Sequence, residues 1–320
     1  MRRRVAAALG IAACVILFGY LLFGILFDED DETPKKNDDV ENPAKPAIPP
    51  KPAARKAPPP ISVVEVEGSV QRKASDSKWI PVQTGDALLR DDAIRTDDGA
   101  RAVLDIGKTA TVEVSEKSEF SVREISQTVS KLRLEEGRIS AVVTGDGGSV
   151  LKVEAKGSDA VAEMEKGEFA VLTDGKGQVS VATQKGQARL SAAGETVEIQ
   201  AGMQSVVQPG GAPSGPEAIP KSLFLKVKRP SALVMRKKET VIEGRTNPGV
   251  VISVNHVQVA VDESGSFRKT VSLSEGKNQV VVAAEDVMGR REEEALPAIT
   301  VDTKPPRVHS KIKWGNKTTE

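Results

Sequence analysis

The sequence predicts an all-β protein that carries one N-terminal transmembrane helix. From Ile61 onward apolar and polar residues alternate with a period of two, and glycines beside Asp, Lys or Glu separate the alternating runs. Before that point the chain has an uncharged apolar stretch and then a proline-rich segment. We therefore expect a β domain of consecutive hairpins, followed by a β-sandwich.

The uncharged stretch runs from Val5 to Phe27, which is 23 residues. As a helix it would be about 35 Å long, enough to cross a bilayer core. Arg2, Arg3 and Arg4 precede it, and the acidic run 28–32 follows it. The positive-inside rule predicts a single-pass protein of the bacterial inner membrane, with residues 1–4 in the cytoplasm and the C-terminal domains in the periplasm.

Two alternatives apply to this stretch. A cleaved signal peptide would normally have a shorter apolar region that ends at a small-residue site. The run from Ile11 to Cys14 resembles a lipobox, but lipidation at Cys14 would leave thirteen more apolar residues where lipoproteins usually have a polar tether. A small buried residue within the span is the favoured reading of Cys14, and its lipidation stays open.

Residues 28–60 predict an acidic, proline-rich, disordered linker. The segment contains nine prolines, which join neither helices nor sheet ladders and hold the chain extended. At full extension it would reach on the order of 100 Å, so it would hold the folded part away from the membrane.

Composition argues against several classes of function. The 320 residues suffice for two domains, and 45 basic residues balance 45 acidic ones, so no net charge favours nucleic acid. With two His, one Cys and 3% aromatic residues, the chain offers little material for a catalytic triad, a zinc site or a stacking surface. We expect no enzyme activity, cofactor, metal site or small-molecule substrate.

Charged residues are dense between Thr84 and Val114, in the run "TGDALLRDDAIRTDDGARAVLDIGKTATVEV". Here they occupy alternate positions, so their side chains should face solvent or neighbouring strands. The adjacent pairs Asp91–Asp92 and Asp97–Asp98 are expected to be solvated turn acids, because a Ca²⁺ site needs six or more convergent oxygens. The sequence thus predicts that ionic groups point to water.

The first part of the β region, residues 61–209, resembles a FecR-type domain. The similarity rests on a Trp, a Gly-Asp pair followed by "IRT", a strand that ends at a glycine turn, and a later "L-x-L-x-x-G" motif. These are Trp79, Gly85, Asp86, Ile94, Arg95, Thr96, Gly107, Leu132, Leu134 and Gly137.

The best-known members of this family span the inner membrane and regulate iron uptake by passing a periplasmic signal to a sigma factor through a cytoplasmic domain. Only residues 1–4 precede the predicted span here, so that sigma-factor activity is not carried over. The resemblance implies an extracytoplasmic β domain that meets a protein partner in the envelope.

A Gly/Pro-rich linker at residues 210–221 is followed by a second unit, residues 222–304, and a polar tail, residues 305–320. This unit resembles bacterial Ig-like repeats of the glucodextranase domain B type. The matching motif residues are Asn255, Asp262, Gly265, Phe267, Gly276, Asn278 and Asp286. A sandwich would bury Ile242, Val251, Val259, Phe267, Leu273 and Val282.

Three residues of this unit have ligand-like chemistry. His256 stands in a two-residue turn, where we expect a positive φ and a turn role, because no second His or Cys is near in sequence. Asp262 and Asp286 are expected to stabilise turns instead of binding Ca²⁺.

The favoured function is that of a non-catalytic, membrane-anchored binding or scaffold protein that presents both β units to envelope proteins. The alternative is a periplasmic glycan- or peptidoglycan-binding module, which would need exposed aromatic platforms. An enzyme would need a nucleophile–base pair or a metal cluster, and neither is visible. The partner, the trigger and the oligomeric state are not specified by the sequence.

Overall fold

The computed structural model describes residues 61–75, 77–107, 109–230 and 232–304. The predicted membrane helix, Arg2 to Arg4, the proline-rich segment and the C-terminal tail lie outside these residues. Within the described ranges, no helix is long and apolar enough to cross a membrane. They form an all-β structure, whose one short helical turn is a 3₁₀ turn at Asp146–Gly148.

A first module of fifteen strands forms one continuous hydrogen-bonded sheet. Its strands are β1 (Ile61–Glu67), β2 (Val70–Lys73), β3 (Ile80–Pro81), β4 (Ala87–Leu88), β5 (Ala93–Thr96), β6 (Arg101–Ile106), β7 (Ala110–Val114), β8 (Glu119–Ile125), β9 (Val129–Val143), β10 (Val150–Ala155), β11 (Val161–Thr173), β12 (Val179–Ala192), β13 (Glu195–Gln200), β14 (Met203–Val207) and β15 (Glu217–Ala218). The main path runs β15-β14-β12-β11-β10-β9-β7-β6-β1-β4. The segment predicted as a linker therefore contributes β15, which pairs with β14.

Strand alternation builds the core of this module. Ala102, Leu104 and Ile106 of β6 are buried on one face, as the sequence pattern predicts. On the opposite face of β6, Arg101 forms ion pairs with three glutamates of the neighbouring strands β1 and β7. One turn acid departs from the expected pattern: Asp92 is buried, and its carboxylate accepts a hydrogen bond from the Leu89 N–H at 2.9 Å that closes the turn.

The 15-residue strand β9 organises the sheet because it changes partners at Gly137. Its first part pairs with β8 and β10, and its second part pairs with β7 and β11. Gly137 has φ +88°, and a Cβ atom there would lie 2.3 Å from Ser118 Oγ. Only glycine fits at this position, because the backbone has a positive φ and packs directly against Ser118 of a neighbouring segment.

The pairing of β10 differs from the predicted succession of hairpins. β10 runs parallel to the first part of β9, with Val150 opposite Val129 and Ala155 opposite Leu134. Because β9 changes partners midway, the residues after Val143 can return beside its beginning through a short connection that contains the 3₁₀ turn. Period-two alternation cannot reveal this, since parallel and antiparallel strands share the same side-chain period.

A second module of ten strands follows. Its strands are β16 (Leu225–Val227), β17 (Val234–Met235), β18 (Glu239–Thr246), β19 (Val251–Val254), β20 (Val257–Val259), β21 (Ser266–Ser272), β22 (Gly276–Asn278), β23 (Val281–Glu285), β24 (Arg291–Ala295) and β25 (Ile299–Val301). They form three sheets, ordered β16-β18-β21, β17-β25-β22 and β20-β19-β23-β24. The described residues of both modules belong to one compact unit.

The core of the second module contains five of the six residues that the sequence assigned to it. Ile242, Val259, Phe267, Leu273 and Val282 are buried together. The assignment of Val251 was wrong: its neighbour Ile252 points into this core, while Val251 packs with residues of the first module. The face of β19 that packs into the core of the second module is thus the face of Ile252, and Val251 lies on the opposite face.

The bend in β9 gives a stability prediction. We expect Gly137→Ala to lower the free energy of unfolding by about 3 kcal/mol, because alanine adds both positive-φ strain and a clash with Ser118. Urea unfolding of the full chain followed by circular dichroism measures this. The matched control is Gly99→Ala, which has φ +66° but open space around its Cβ position. It should cost only about 1 kcal/mol, and equal losses for the two variants would contradict the close-packing account.

Candidate functional site

The two modules meet at a contact that we call the junction, and Arg138 of β9 lies at its centre. Arg138 is only 8% exposed. Its Nε donates a hydrogen bond to the carbonyl oxygen of Val287 in the second module at 2.8 Å, and its Nη1 donates to Ser115 Oγ in the first module at 2.8 Å. The guanidinium therefore joins the modules with directed bonds.

Arg138 points to the junction because of strand register. Ile139 faces the core of the first module, so Arg138 faces the other side of the sheet, opposite Leu172 of β11. Leu172 and the small residues Ala170 and Ala182 form a buried apolar patch on this side, which Val287 of the second module covers. The strands β11 and β12 are consequently buried on both faces over residues 169–173 and 179–183.

Two further hydrogen bonds fix how the second module is positioned on the first. Ser180 Oγ donates to the carbonyl oxygen of Gly249 at 2.6 Å, and Gln178 Nε2 donates to that of Val250 at 3.2 Å. Both donors are buried side chains of the first module, and both acceptors are backbone atoms of the second. Buried polar groups that are paired in this way hold one arrangement, because any other would leave them unsatisfied.

The turn that carries Val287 is shaped by Asp286. The Oδ1 atom of Asp286 accepts hydrogen bonds from the N–H groups of Met288 at 3.0 Å and Arg290 at 2.9 Å, and Oδ2 pairs with Arg290 Nε at 2.6 Å. Gly289, at φ +79°, brings the backbone against Arg138: a Cβ atom there would lie 3.0 Å from the guanidinium carbon. The turn acid thus has the structural role that the sequence predicts, and the turn it shapes seats the junction.

A cleft of about 520 Å³ opens at the edge of the junction. Both modules line it, with Thr173 from the first and Val251, His256, Gln258 and Glu285 from the second among its walls. His256 has φ +66° and Asn255 has φ +48°, which is the two-residue turn that the sequence predicts. In the described part of the chain, no three His, Cys, Asp or Glu side chains are placed to hold a metal ion.

Glu285 gives the cleft its electrostatic character. Burial raises the pKa of this carboxyl, while the nearby Arg138 guanidinium opposes the increase and Glu116 adds to it. Burial likewise lowers the pKa of Arg138, although an arginine remains charged. At the rim, Arg291 forms ion pairs with Glu116 of the first module and Glu293 of the second. Charges are therefore concentrated where the modules meet.

The sequence-predicted motif residues of the first module serve turns and packing. Trp79 lies under the Arg95 guanidinium, 4.4 Å from ring centroid to Cζ, and Arg95 also donates to Gln71 Oε1. Ile94 is buried, and the Thr96 hydroxyl donates to the Ser115 carbonyl at 2.6 Å.

Leu132 and Leu134 are buried in β9, whereas Gly85, Asp86 and Gly107 lie between strands. Gly85 and Gly107 have positive φ, and Asp86 accepts a hydrogen bond from the Gln83 N–H and pairs with Arg72. Of the whole set, only Gly137 reaches the junction cleft.

The motif residues of the second module are similarly distributed. Asp262 Oδ1 accepts hydrogen bonds from the N–H groups of Ser264 and Ser266, and Asn278 Nδ2 donates to the carbonyls of Ser274 and Gly276. Asn255 Oδ1 accepts from the Val281 N–H at 2.9 Å. Gly265 and Gly276 have positive φ, and Phe267 is a core residue.

Sequence reasoning missed Arg138 and Glu285, and its expectation that ionic groups point to water is wrong at the junction. Arg138 follows the same alternation as the exposed charges, so periodicity could not separate it from them. A usable signal did exist in "FAVLT" and "VSVAT", residues 169–173 and 179–183. Small or apolar residues on both faces of a strand indicate a second packing layer.

The junction predicts a large cost for losing Arg138. We expect Arg138→Ala to lower the free energy of unfolding by about 3–5 kcal/mol, because it removes two charged hydrogen bonds, to the Val287 carbonyl and to Ser115 Oγ, and leaves the buried carbonyl without a donor. Chemical unfolding of the full chain measures the loss.

The control is Arg189→Ala, whose ion pairs with Glu163 and Glu165 lie on the surface. It should cost less than about 1 kcal/mol. A similar small cost for Arg138→Ala would show that the junction contributes little to the fold.

Glu285 predicts how stability depends on pH. Its folded-state pKa lies above the ordinary glutamate value of 4.5, so the native state binds this proton more tightly than the unfolded state does. The stability due to this group is complete below that ordinary value and is lost as the pH rises through the raised one. We expect Glu285→Gln to match the wild type at about pH 4 and to exceed its stability at about pH 7.

Unfolding free energies measured at both pH values test this expectation. Glu292→Gln, on the exposed strand β24, serves as the control and should follow the wild type. A Glu285→Gln difference that does not change with pH would contradict the assignment.

Comparison with known proteins identifies part of the first module. Residues 92–189 match the family described as FecR protein. Two solved structures of a proposed anti-sigma factor from Parabacteroides distasonis are similar at 15% and 14% identity, each with a TM-score of 0.35, covering 39% of this chain and 59% of theirs. A polysaccharide lyase is similar at 10% identity and a TM-score of 0.19, covering 76% of this chain and 40% of its own.

No curated protein matches the chain. The chain spans 59% of the length of the first solved structure that it resembles. The matched range runs from the start of β5 into β12 and so includes Arg138 and the strands of the junction. Residues 92–189 are accordingly identified as a FecR domain within this longer chain.

Proposed function

We propose that this protein is a non-catalytic sensing or scaffold protein of the bacterial envelope, anchored in the inner membrane by residues 5–27. Its N-terminus lies in the cytoplasm and both β modules lie in the periplasm, where they bind a protein partner. The FecR match supports this proposal, since it points to a regulatory family without enzyme activity.

The junction is the observation that carries the proposal. Directed bonds from Arg138, Ser180 and Gln178 hold the second module in one position on the first. Surfaces on two modules are thereby presented at a fixed spacing and angle. A partner that spans both modules then binds without the entropic cost of ordering them, which is the benefit of preorganisation.

Crosslinking in intact envelopes tests the proposal. The full chain is crosslinked in cells, purified under denaturing conditions and examined by mass spectrometry. We expect a discrete protein adduct of fixed stoichiometry for the wild type and for Arg189→Ala. For Arg138→Ala, which loosens the junction, we expect the yield to fall by about tenfold, in line with the loss of an ordered binding surface.

Three results would oppose the proposal. Recovery of peptidoglycan without a protein adduct would favour glycan binding, and an unchanged yield for Arg138→Ala would separate binding from the junction. Release of the chain from membranes by alkaline carbonate would contradict the membrane anchor.

A further inference from the structure

The outer face of the sheet β16-β18-β21 carries an unusual concentration of positive charge. Lys226 and Lys228 come from β16 and the residue after it, Arg245 from β18 and Arg268 from β21. One acid lies among them: Glu243, which pairs with Lys228 at 3.5 Å and with Arg268 at 3.4 Å. We call these four cations and Glu243 the cationic face.

Two of these cations directly oppose each other. Lys226 and Arg245 are register partners in the antiparallel pair β16–β18, so their exposed side chains leave the same face of the sheet. Neither has an ion pair among the described residues. Like charges in directly opposite positions destabilise a sheet. The arrangement therefore costs stability within the fold.

The nearest acid does not neutralise this pair. Hydrogen bonds from Ser264 and Ser266 lower the pKa of Asp262, and the Arg245 charge adds to this effect, but the two side chains form no ion pair. Its Oδ1 already accepts hydrogen bonds from the N–H and hydroxyl groups of Ser264 and from the N–H of Ser266. The hydrogen bonds of Asp262 thus lie within its own turn. The positive charges of Lys226 and Arg245 are therefore available to bind an acidic ligand.

The cationic face is concave. It lines a cavity of about 780 Å³ whose walls also include the apolar residues Ala260, Val261 and Phe267. A flat bilayer surface fits a concave wall poorly. Polyuronate chains offer no apolar groups for the exposed Ala260 to contact, and Val261 and Phe267 are too buried to contact sugar rings. A polypeptide can place carboxylates beside apolar side chains, which suits both parts of the cavity.

We infer that the cationic face binds an acidic, partly apolar segment of a partner protein, with Lys226 and Arg245 contacting its carboxylates. The inference rests on the proposed function, because it names the chemistry of one partner surface. Electrostatic recognition of this kind predicts fast association and an affinity that falls as salt increases.

Binding of fluorescein-labelled poly-L-glutamate to the full chain, followed by fluorescence anisotropy, tests the inference. We expect the wild type to bind, with an affinity that decreases between about 0.05 M and about 0.3 M salt. The double variant Lys226→Gln with Arg245→Gln should bind at least about tenfold more weakly. It should be no less heat-stable than the wild type, because it removes a like-charge pair.

The matched control is Arg236→Gln with Lys237→Gln, two exposed cations of the same module without ion pairs among the described residues. It should bind like the wild type. Absence of wild-type binding, equal binding by the two double variants, or tighter binding to phosphatidylglycerol vesicles or to polygalacturonate would each overturn the inference. If the crosslinked protein adduct persists in the Lys226→Gln, Arg245→Gln variant, the proposed function is supported, and the inference that the cationic face binds the partner is contradicted.

Discussion

The buried guanidinium of Arg138 imposes the constraint on which the arrangement of the two modules depends. An arginine keeps its charge, so removing it from water requires hydrogen-bond acceptors and compensating acids nearby. Ser115 supplies one acceptor from the first module, and Val287 supplies the other from the second. The hydrogen bonds of the Arg138 side chain are therefore satisfied only when the second module covers this face of β9.

This constraint extends to the strands beside β9. Ala170 and Ala182 pack with Val287 of the second module, and Ser180 Oγ donates a hydrogen bond to the Gly249 carbonyl. The apolar patch itself is small, so its area alone would not select one orientation. Paired polar groups around a small apolar centre make the contact specific, since each alternative orientation leaves donors unpaired.

Local patterns in the sequence predict strands and turns well. The alternation of Ala102, Leu104 and Ile106 gives the buried face of β6 correctly, and the Asn255–His256 turn has the expected positive φ angles. The arrangement of strands is harder to predict, because β10 pairs in parallel with β9 only as a result of the bend at Gly137. Arg138 and Val251 also escaped prediction, since a residue that faces a second module alternates like one that faces solvent. Which faces are covered is a property of tertiary packing.

Most cross-strand charges of the described sheets are neutralised by an opposite charge, and the exceptions are informative. Arg101 meets Glu65, Glu67 and Glu113, and Lys152 meets Glu163, so cross-strand charges in the described sheets are commonly opposite in sign. Such pairs are weakly stabilising, and a fold under selection for stability alone would extend them to every suitable position. Lys226 and Arg245 depart from this rule within the second module. Glu285 follows the rule, since its register partner in β24 is Arg291, although burial still raises the pKa of this carboxyl. The unneutralised charge of Lys226 and Arg245 lines an open cavity, and recognition of an acidic partner there, as we infer, would compensate for the stability lost.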